Sequence, residues 1–519
     1  MFNFKLKDDQ FLVLLFALIS ALLYSCLLPL WEGFDEPFHY AYIQSLSVDH
    51  RVPVLNSTRI SEEIRQSLTL TPVSPILHRS LPHSTSFPEW FQLSPEQRLA
   101  RKKALSTLAP GLKRQASDLT NHEAQQAPLA YVLLLPLHAL TPSLPLTRRI
   151  LVLRLCLAVA STLLLFFAGN LLAAALALEG PFRILALACI FESQMLWASI
   201  AHVGNDWLTV PLATALMAYI ALAARNHKQR DLIVAGLLLA AGLLTKAYFL
   251  AFLPVFVALL LFQYVRSYIP LRTLLSAVCA PVIIAGPWYI RNALLYGSIS
   301  GMQEGTRGIG LHRALAALVQ INWLTSFSDL ARWSLWTGNW SFVAFSRNTL
   351  NCEILLLAAS LVLLLIRYKQ ITSGEFWIFA NLASFISGLI YYTCVAWADT
   401  AGAATSAMPW YPQCVMPAIW LLAVLGLQRS GIAGRVIAGL LCLVAAWIAA
   451  LTYLATLFPL YGGYEGRASL PAIWKWWTGN PGGLLSSVTL VPVPLLFALL
   501  LVFLVLLISV NARIIKRFV

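Results

Sequence analysis

Apolar runs alternate with short polar segments along almost the whole chain. A helix of roughly 20 apolar residues crosses the hydrocarbon core of a membrane, and most of these runs have about that length. The pattern therefore predicts an all-α polytopic membrane protein. The twelve predicted spans are residues 10–30, 150–176, 182–202, 206–224, 231–246, 249–265, 273–291, 351–366, 375–397, 410–427, 433–455 and 491–511.

One apolar segment, residues 128–141, does not fit this series because it is too short for an ordinary span. Counting it as a span would also move the basic segment 225–230 to the outside. We therefore predict that it belongs to one long external loop, residues 31–149, and thirteen spans remain the alternative. A basic stretch at 98–115 in the same loop is typical of an amphipathic helix on an anionic membrane surface.

The composition excludes a soluble globular protein. The chain is 59% hydrophobic and only 11% charged, with a mean hydropathy of +0.74, whereas soluble domains are about 25% charged. The formal net charge is +14. The basic residues lie in short segments between apolar runs, such as 225–230, 367–369 and 513–518, which indicates positive-inside topology rather than a nucleic-acid surface. Both termini are predicted to be cytoplasmic.

Several common chemical motifs are absent from the sequence. The eight cysteines form no CxxC pair, so neither a disulfide framework nor a zinc site is indicated. The chain has no GxxxxGK[ST] phosphate loop, no HExxH zinc motif and no GxSxG nucleophile turn. If the chain is an enzyme, its activated substrate is therefore expected to arrive within the membrane.

Two adjacent carboxylates follow the first span in "WEGFDEPFHYAY", with a histidine one turn later. One interpretation is structural: Asp35 caps a helix, a role worth about 1 kcal/mol, and Glu36 is solvated. The other is chemical: a carboxylate at the membrane surface acts as a general base, with His39 beside it. Spacing alone leaves both interpretations open.

A second polar pair lies in the very short turn "AHVGNDWL", predicted on the same external side. Asn205 and Asp206 are candidates for a functional site because ionisable groups so close to the membrane are costly. The alternative is again a helix cap. Two acids that converge on one side are harder to explain by capping alone.

Four basic residues lie on the external side, against the charge rule: Lys246 and Arg291 near the ends of spans, and Arg149 and Arg154 at the start of another. Each alone is explained by a side chain that extends to the interface. Together they would form a cationic pocket for a phosphate group, which arginine binds with two parallel hydrogen bonds.

Two further external stretches, 292–350 and 456–490, are rich in tryptophan and glycine. Tryptophan at this depth most often forms a belt at the membrane interface. It also provides a flat surface for a sugar or a lipid tail. The sequence does not separate these interpretations.

Taken in order, these motifs resemble a known superfamily. An external Asp-Glu pair after the first span, the segment "APLAYVLLLPL", an Asn-Asp turn, the turn "GLLTK" and the span end "WYIRN" are similar to the GT-C superfamily. Its members are integral-membrane glycosyltransferases that use polyprenyl-phosphate sugars, among them protein O-mannosyltransferases and lipid A aminoarabinose transferases. The resemblance covers about residues 10 to 300.

The resemblance implies two regions and a location. Residues 1–300 would form the catalytic module, and residues 301–519 would add C-terminal helices with tryptophan-rich loops. Because the form "DEPFHYAY" is closest to bacterial members, the expected location is the bacterial inner membrane.

The resemblance also implies roles for particular residues. Asp35 matches the acid that takes the proton from the acceptor hydroxyl, and Glu36 is its neighbour. Asp206 matches a second acidic position that in some members orients the acceptor or binds metal, so a divalent metal held by Asp35 and Asp206 is the expectation if one is used. Lys246 and Arg291 are candidates for the lipid phosphate.

The sequence departs from the family pattern at a late span. Many relatives carry an Arg-Tyr pair there, whereas this chain has Trp410 before Tyr411 in "MPWYPQCVMP". Either Arg347 or Arg467 replaces the missing arginine, or the donor is bound differently.

The predicted function is that of an inverting glycosyltransferase. It would move a sugar from a polyprenyl-phosphate donor to an acceptor hydroxyl on a glycan, lipid or protein, at the external face and without a nucleic-acid partner. The candidate substrate-binding residues are His39, Asn205, Asp206, Lys246, Arg291, Arg149, Arg154 and Tyr411. The alternatives are a transporter or lipid flippase, which predicts inverted repeats that the sequence lacks, and a non-catalytic assembly subunit.

Overall fold

The computed structural model describes residues 8–81, 83–302, 308–464, 469–479 and 481–518. Lys5 and Lys7, whose positive charges favour the predicted cytoplasmic N-terminus, lie outside these residues, and so does Arg467.

Helices long and apolar enough to cross a membrane account for most of the predicted spans, and the protein is an integral membrane protein. Within the described residues nine helical segments meet this condition. They are Asp8–Leu27, Leu146–Ala175, Asp206–Asn226, Ala247–Val265, Leu271–Tyr296, Arg347–Ile366, Ser373–Asp399, Gly431–Tyr461 and Val493–Phe518.

The other three predicted spans are helical but broken or short. Gly180–Glu192 and Gln194–Ile200 form one pair bent by 59°. Gln229–Leu243 has 15 residues and Met416–Gln428 has 13, lengths of about 20 Å at 1.5 Å per residue. The structure thus has nine full-length spans, or ten with the bent pair, in its described part, and the count of twelve stays a prediction.

Proline explains why the predicted span 410–427 is shorter in the structure. Pro412 lies in a 3-10 turn, Tyr411–Cys414, and Pro417 lies at the start of the helix that follows it. A proline fits the first turn of a helix, whereas in the interior it removes a backbone hydrogen bond and is disfavoured. The helix therefore begins at Met416, and Tyr411 lies in the turn before it.

The short apolar segment that raised the thirteen-span alternative forms two small helices, Leu129–Val132 and Leu135–Ala139. Together they extend over about 17 Å, well short of the roughly 30 Å hydrocarbon core. They connect the long loop to the helix that begins at Leu146.

The loop 31–149 is folded and consists mainly of short helices. These are Glu36–Ser47, Glu62–Leu70, Pro75–Ser80, Phe87–Gln92, Pro95–Ser106 and the 3-10 turn Pro110–Arg114. Two small strand pairs join them: Arg59–Ser61 runs antiparallel to Ala116–Thr120, and Pro72–Val73 runs parallel to Thr85–Ser86. The predicted all-α class holds except for these short pairs.

The helical core forms by close packing of apolar faces. Leu146–Ala175 packs against Asp206–Asn226, and Asp8–Leu27 packs against Val493–Phe518. Gln229–Leu243 packs so closely on Leu271–Tyr296 that a Cβ at Gly236 would lie 2.5 Å from a backbone oxygen of that helix. Small residues permit this approach between membrane helices.

The two chain ends lie at the same end of the helical bundle. Arg513 and Arg517 of the last helix both pair with Asp9 at the start of the first. This agrees with the prediction that both termini face one side; the cytoplasmic assignment stays a prediction.

The tryptophan-rich stretches are also helical, and their tryptophans differ in burial. The elements are Leu311–Gln320, Trp323–Leu335 and Asn339–Ser341 in the first stretch, and Phe458–Tyr461, Leu470–Thr478 and Gly482–Val488 in the second. Trp336 and Trp340 are buried, Trp333 and Trp474 are exposed, and Trp323, Trp476 and Trp477 are half-buried. The two buried side chains do not have the character of an interfacial belt.

Candidate functional site

Asp35 occupies the N-cap position of helix Glu36–Ser47, but its side chain does not cap the helix. Its backbone is in the left-handed region (φ 52°), a conformation that costs a non-glycine residue of order 1 kcal/mol. Instead the carboxylate oxygen Oδ1 lies 2.9 Å from Nε2 of His122. The capping role weighed from the sequence is therefore wrong for this side chain.

His122 controls the ionisation of Asp35. Burial alone would raise the pKa of the Asp35 carboxyl, but the hydrogen bond and charge of His122 outweigh burial and hold that pKa below its usual value. For His122, burial would lower the pKa of the imidazole, and the contact with Asp35 raises it instead. The pair is therefore suited to hold a carboxylate ionised at neutral pH.

Glu36, the second predicted catalytic acid, is fully buried in an ion pair with Arg154. The Arg154 guanidinium also donates to the backbone oxygens of Leu28 and Pro29, at 2.6 and 2.8 Å. The remaining partner of Glu36 is the backbone N–H of Val203, 3.0 Å away. These contacts give Glu36 a structural environment, away from the cavity described below.

His39 lies on the Asp35 side of its helix. Its Nδ1 is 2.7 Å from the hydroxyl of Tyr131 and 4.0 Å from a carboxylate oxygen of Glu123. Burial lowers the pKa of His39 well below its usual value, so the ring is neutral at pH 7. Burial, reinforced by the charge of Asp35, raises the pKa of Glu123 to about 7.

Asp206 and Lys246 form a buried ion pair. The Lys246 Nζ lies 2.8 Å from each carboxylate oxygen of Asp206, and 4.7 Å from the centre of the Tyr248 ring. Because both Asp206 oxygens accept from Lys246, Asp206 does not fit the expected metal pair with Asp35. Asn205 donates from Nδ2 to Gln126 Oε1 at 3.1 Å and makes no side-chain cap.

The other predicted cations do not meet in one pocket. Arg149 is buried, pairs with Glu63 and donates to the hydroxyl of Tyr40 at 2.9 Å. Arg291 stacks 4.6 Å from the centre of the Trp288 ring and donates to the backbone oxygen of Pro53 at 2.9 Å. Arg149, Arg154 and Arg291 thus fix the long loop to the spans.

A cavity of about 390 Å³ opens beside Asp35. Four of the predicted residues line it: Asp35, His39, Lys246 and Tyr411. Aromatic side chains form much of the remaining wall, namely Phe38, Tyr248, Trp340, Phe342, Tyr392 and Trp410. One wall therefore carries the charged groups, and flat apolar rings form the others.

A second cavity, about 580 Å³, adjoins the first and lies between the spans Ala247–Val265 and Ser373–Asp399. Its lining is mainly apolar and includes Leu250, Phe385 and Leu389. The two cavities share wall residues: Ala247, Tyr248, Met302, Tyr392 and Tyr411. We call the first, which has charged side chains in its wall, the polar cavity, and the second, whose described lining has none, the apolar cavity; the two are contiguous.

Sequence reasoning missed His122, Glu123 and Gln125, which line the polar cavity. They lie in "NHEAQQAPLAY", directly before the Pro-Leu-x-Tyr segment that was singled out. The available signal was this cluster of polar residues at the end of a loop, next to an apolar run. Arg347, one proposed substitute for the family arginine, is exposed at the start of its helix and does not line either cavity.

Comparison with known proteins gave similarity of fold. No family model and no curated protein matches the sequence. Two crystal structures of ArnT from Cupriavidus metallidurans are similar, each with 12% sequence identity. The alignment with the form bound to undecaprenyl phosphate has a TM-score of 0.43 and covers 87% of this chain and 75% of the ArnT chain. The alignment with the apo form has a TM-score of 0.41 and covers 92% of this chain and 75% of the ArnT chain.

Proposed function

We propose that this protein is an inverting glycosyltransferase that moves a sugar from a polyprenyl-phosphate donor to an acceptor hydroxyl. The reaction takes place in the polar cavity, on the external face of what we propose to be a bacterial inner membrane. Asp35 is the general base, and Lys246 faces the donor phosphate.

The observation that carries this proposal is that the cavity beside Asp35 adjoins the apolar cavity, along a shared wall that includes Tyr248 and Tyr411. The polar cavity of about 390 Å³ holds the carboxylate, and the apolar cavity of about 580 Å³ shares a wall with it between two spans. A substrate with a charged head and a long hydrocarbon tail matches this arrangement. Pockets that bind ligands combine apolar walls with a few converging polar groups in this way.

The chemistry follows from the charges at the cavity. The acceptor hydroxyl attacks the anomeric carbon, a C–O bond forms, and the bond from that carbon to the phosphate oxygen breaks with inversion. Asp35 takes the hydroxyl proton, and polyprenyl phosphate leaves with the electron pair. His122 keeps Asp35 ionised and oriented through its 2.9 Å hydrogen bond, and help from a general base contributes roughly 10²- to 10⁴-fold.

The leaving phosphate requires positive charge. Lys246 lines the polar cavity at its border with the apolar one, and its ammonium is held by Asp206. Fixed charges of this kind need no rearrangement as the transition state forms. Tyr411, in contact with Tyr248 and Tyr392 (ring centres 4.6 and 4.8 Å), borders both cavities and is placed beside the sugar or the phosphate.

The test is transfer from a radiolabelled polyprenyl-phosphate sugar by purified protein in lipid vesicles, with wild type and Asp35→Asn compared. We expect the variant to lose about 10²-fold or more of the rate. The matched control is Asp49→Asn, an exposed carboxylate of the same loop, which should keep the wild-type rate.

Equal transfer by wild type and Asp35→Asn would contradict the assigned role. Vesicles in which the protein moves the lipid between leaflets without transfer would favour the flippase alternative instead.

A further inference from the structure

Three aromatic side chains of the polar cavity take no part in the transfer proposed above. Trp340, Phe342 and Trp410 line the polar cavity, and none of them belongs to the wall that it shares with the apolar cavity. Tyr411, which we place beside the donor, does belong to that shared wall. The three rings therefore lie where the acceptor, rather than the donor, has room.

Two of these rings pack on Phe34, the residue directly before Asp35. The centre of the buried Phe34 ring lies 4.5 Å from that of Trp410, with the planes inclined by 31°, and 6.0 Å from that of Phe342. His202 fixes Phe34 in turn, since its Nε2 lies 3.1 Å from the Phe34 backbone oxygen. Because one peptide bond joins Phe34 to Asp35, the rings are held at a fixed place relative to the carboxylate.

The backbone of Phe342 is strained in a way that directs its ring. Its φ is 50°, in the left-handed region that a bulky residue rarely adopts. The turn around it is held by hydrogen bonds from the Trp340 N–H to the Glu32 backbone oxygen and from the Gly338 N–H to the Val343 oxygen, both 3.2 Å. The Phe342 side chain is nevertheless 39% exposed, so burial does not explain this conformation. Strain of this kind is typical of functional sites.

The rings and one buried amide together match the chemistry of a sugar. Aromatic faces are negative and C–H groups are weak hydrogen-bond donors, so a pyranose packs its C–H face on a ring and keeps its hydroxyls free. Gln125 lines the same cavity and is 7% exposed, and its amide oxygen Oε1 has no hydrogen-bond partner among the described residues. A sugar hydroxyl would supply the missing donor. The volume of about 390 Å³ is that of a small-molecule site.

We propose that the acceptor is a carbohydrate whose neutral pyranose ring stacks on Trp410 and Phe342 while its reacting hydroxyl faces Asp35. This inference rests on the proposed function and names its acceptor class. The carboxyl groups of Asp35 and Glu123 lie in the same wall, so an acidic sugar would be repelled. The hydroxyl gives its proton to Asp35, its oxygen bonds to the anomeric carbon of the donor, and polyprenyl phosphate leaves with the electron pair.

The first measurement needs no donor. Purified full-length protein in detergent is titrated with the methyl pyranosides of glucose, galactose, mannose and N-acetylglucosamine, and saturation-transfer difference NMR records which sugar protons contact the protein. We expect at least one of these pyranosides to bind with the C–H protons of a single ring face saturated most. Trp410→Leu and Phe342→Asn should each weaken its binding by roughly 2- to 10-fold, whereas Trp410→Phe keeps a ring and should bind nearly as wild type does.

The controls separate recognition from folding. Trp474→Leu removes an exposed tryptophan outside the polar cavity, and pyranoside binding should not change. Asn tolerates positive φ, so Phe342→Asn should unfold at the wild-type temperature or above it although it binds the sugar more weakly. A purely structural role of Phe342 predicts the reverse, a lower unfolding temperature with unchanged binding, and that result would overturn the site.

The second measurement is the vesicle transfer assay with the same pyranosides, a serine peptide and a long-chain alcohol offered as acceptors. We expect label on a pyranoside, and Trp410→Leu should raise KM for it more than it lowers kcat. Transfer to the peptide or the alcohol alone would overturn the carbohydrate acceptor and leave the proposed glycosyltransferase standing, and no pyranoside contact in the NMR titration would also overturn it. Pyranoside binding without transfer to any acceptor would instead contradict the proposed function, while the sugar site would stand.

Discussion

Asp35 and His122 are 87 residues apart in the chain, yet the carboxylate Oδ1 and the imidazole Nε2 lie 2.9 Å from each other. The contact joins the start of the loop 31–149 to its end. It also turns the Asp35 side chain away from the helix that its backbone begins. The Asp35 side chain makes no cap hydrogen bond and instead contacts a residue of the cavity wall. Such an orientation is expected where the function of a site, rather than the stability of a helix, determines where a side chain points.

Asp35→Asn should therefore separate stability from activity. Because the Asp35 side chain makes no cap hydrogen bond and Asn is well tolerated at positive φ, we expect its cost in free energy of unfolding to come from the lost charge beside His122, and to fall below about 0.5 kcal/mol when the same substitution is made in a His122→Ala background. Ser94→Ala, which removes a real capping box, should cost about 1 kcal/mol. Thermal unfolding in detergent measures both. A loss of about 1 kcal/mol for Asp35→Asn that persists in the His122→Ala background would restore the capping interpretation.

The ion pair of Lys246 and Asp206 makes a double substitution informative. Lys246→Met alone leaves the buried carboxylate of Asp206 unpaired and should lower both stability and the rate of transfer. Removal of one partner of a buried ion pair typically lowers the free energy of unfolding by about 3–5 kcal/mol. Lys246→Met combined with Asp206→Asn removes both charges, so stability should largely return. Transfer should stay low because the charge that faces the donor phosphate is gone.

Recovery of transfer together with stability in the double variant would show that Lys246 acts only through the fold. The measurements are thermal unfolding and the vesicle transfer rate on the same preparations.

Arg154→Leu should be among the most destabilising substitutions in the chain. It leaves Glu36 as an uncompensated buried charge, and two backbone oxygens, those of Leu28 and Pro29, lose their donors. We expect a cost of about 3–5 kcal/mol. Arg148→Leu is the matched control, since Arg148 is exposed and lies six residues earlier on the same helix. Similar melting curves for the two variants would contradict this prediction.

The ionisation of Glu32 links pH to stability. Burial raises the pKa of this carboxyl from 4.5 to about 8, although a hydrogen bond from the Ser341 backbone N–H to Oε1, at 2.9 Å, acts in the opposite direction. The folded state therefore binds a proton that the unfolded state has released, and stability falls as pH rises from about 4.5 to 8.

Glu32→Gln cannot ionise, so the difference in melting temperature between variant and wild type should become more positive from pH 5 to pH 9. Glu179→Gln, at an exposed site, should show no such trend. Parallel pH curves for wild type and Glu32→Gln would contradict the assignment.

Gly33 is required by a close contact rather than by its backbone angle. A Cβ at this position would lie 2.5 Å from a ring carbon of His202, a distance that forces the ring to move. Gly33→Ala should therefore cost about 1–3 kcal/mol. Gly111→Ala, in the same loop with no atom near the new Cβ, should be nearly neutral. The comparison is again by thermal unfolding.

Much of the fold follows from hydrophobic length alone, and its exceptions follow from local chemistry. All twelve predicted spans correspond to helices because an apolar run satisfies its backbone only as a helix in lipid. The sequence did not show that the run near Met416 would be shortened by prolines. The strand pair of Arg59–Ser61 with Ala116–Thr120 joins segments far apart in the chain, and such pairings leave little local signal.

The candidate site was predictable only where the sequence pattern was itself unusual. Asp35, His39, Lys246 and Tyr411 were proposed and line the cavity. Arg154 was proposed as a ligand for phosphate, but charges of opposite sign on distant segments can pair in ways that spacing does not reveal. Its partner Glu36 was singled out for catalysis from the same local pattern that singled out Asp35.

The ion pair of Arg154 with Glu36 also determines what can be studied in isolation. Arg154 belongs to the helix Leu146–Ala175, whereas Glu36 begins the helix that holds Asp35. The position of Asp35 is therefore set by the helical bundle. A soluble fragment made from the loop 31–149 alone would omit the guanidinium that holds Glu36, so inhibitors or antibodies raised against such a fragment would meet a different surface from that of the intact protein.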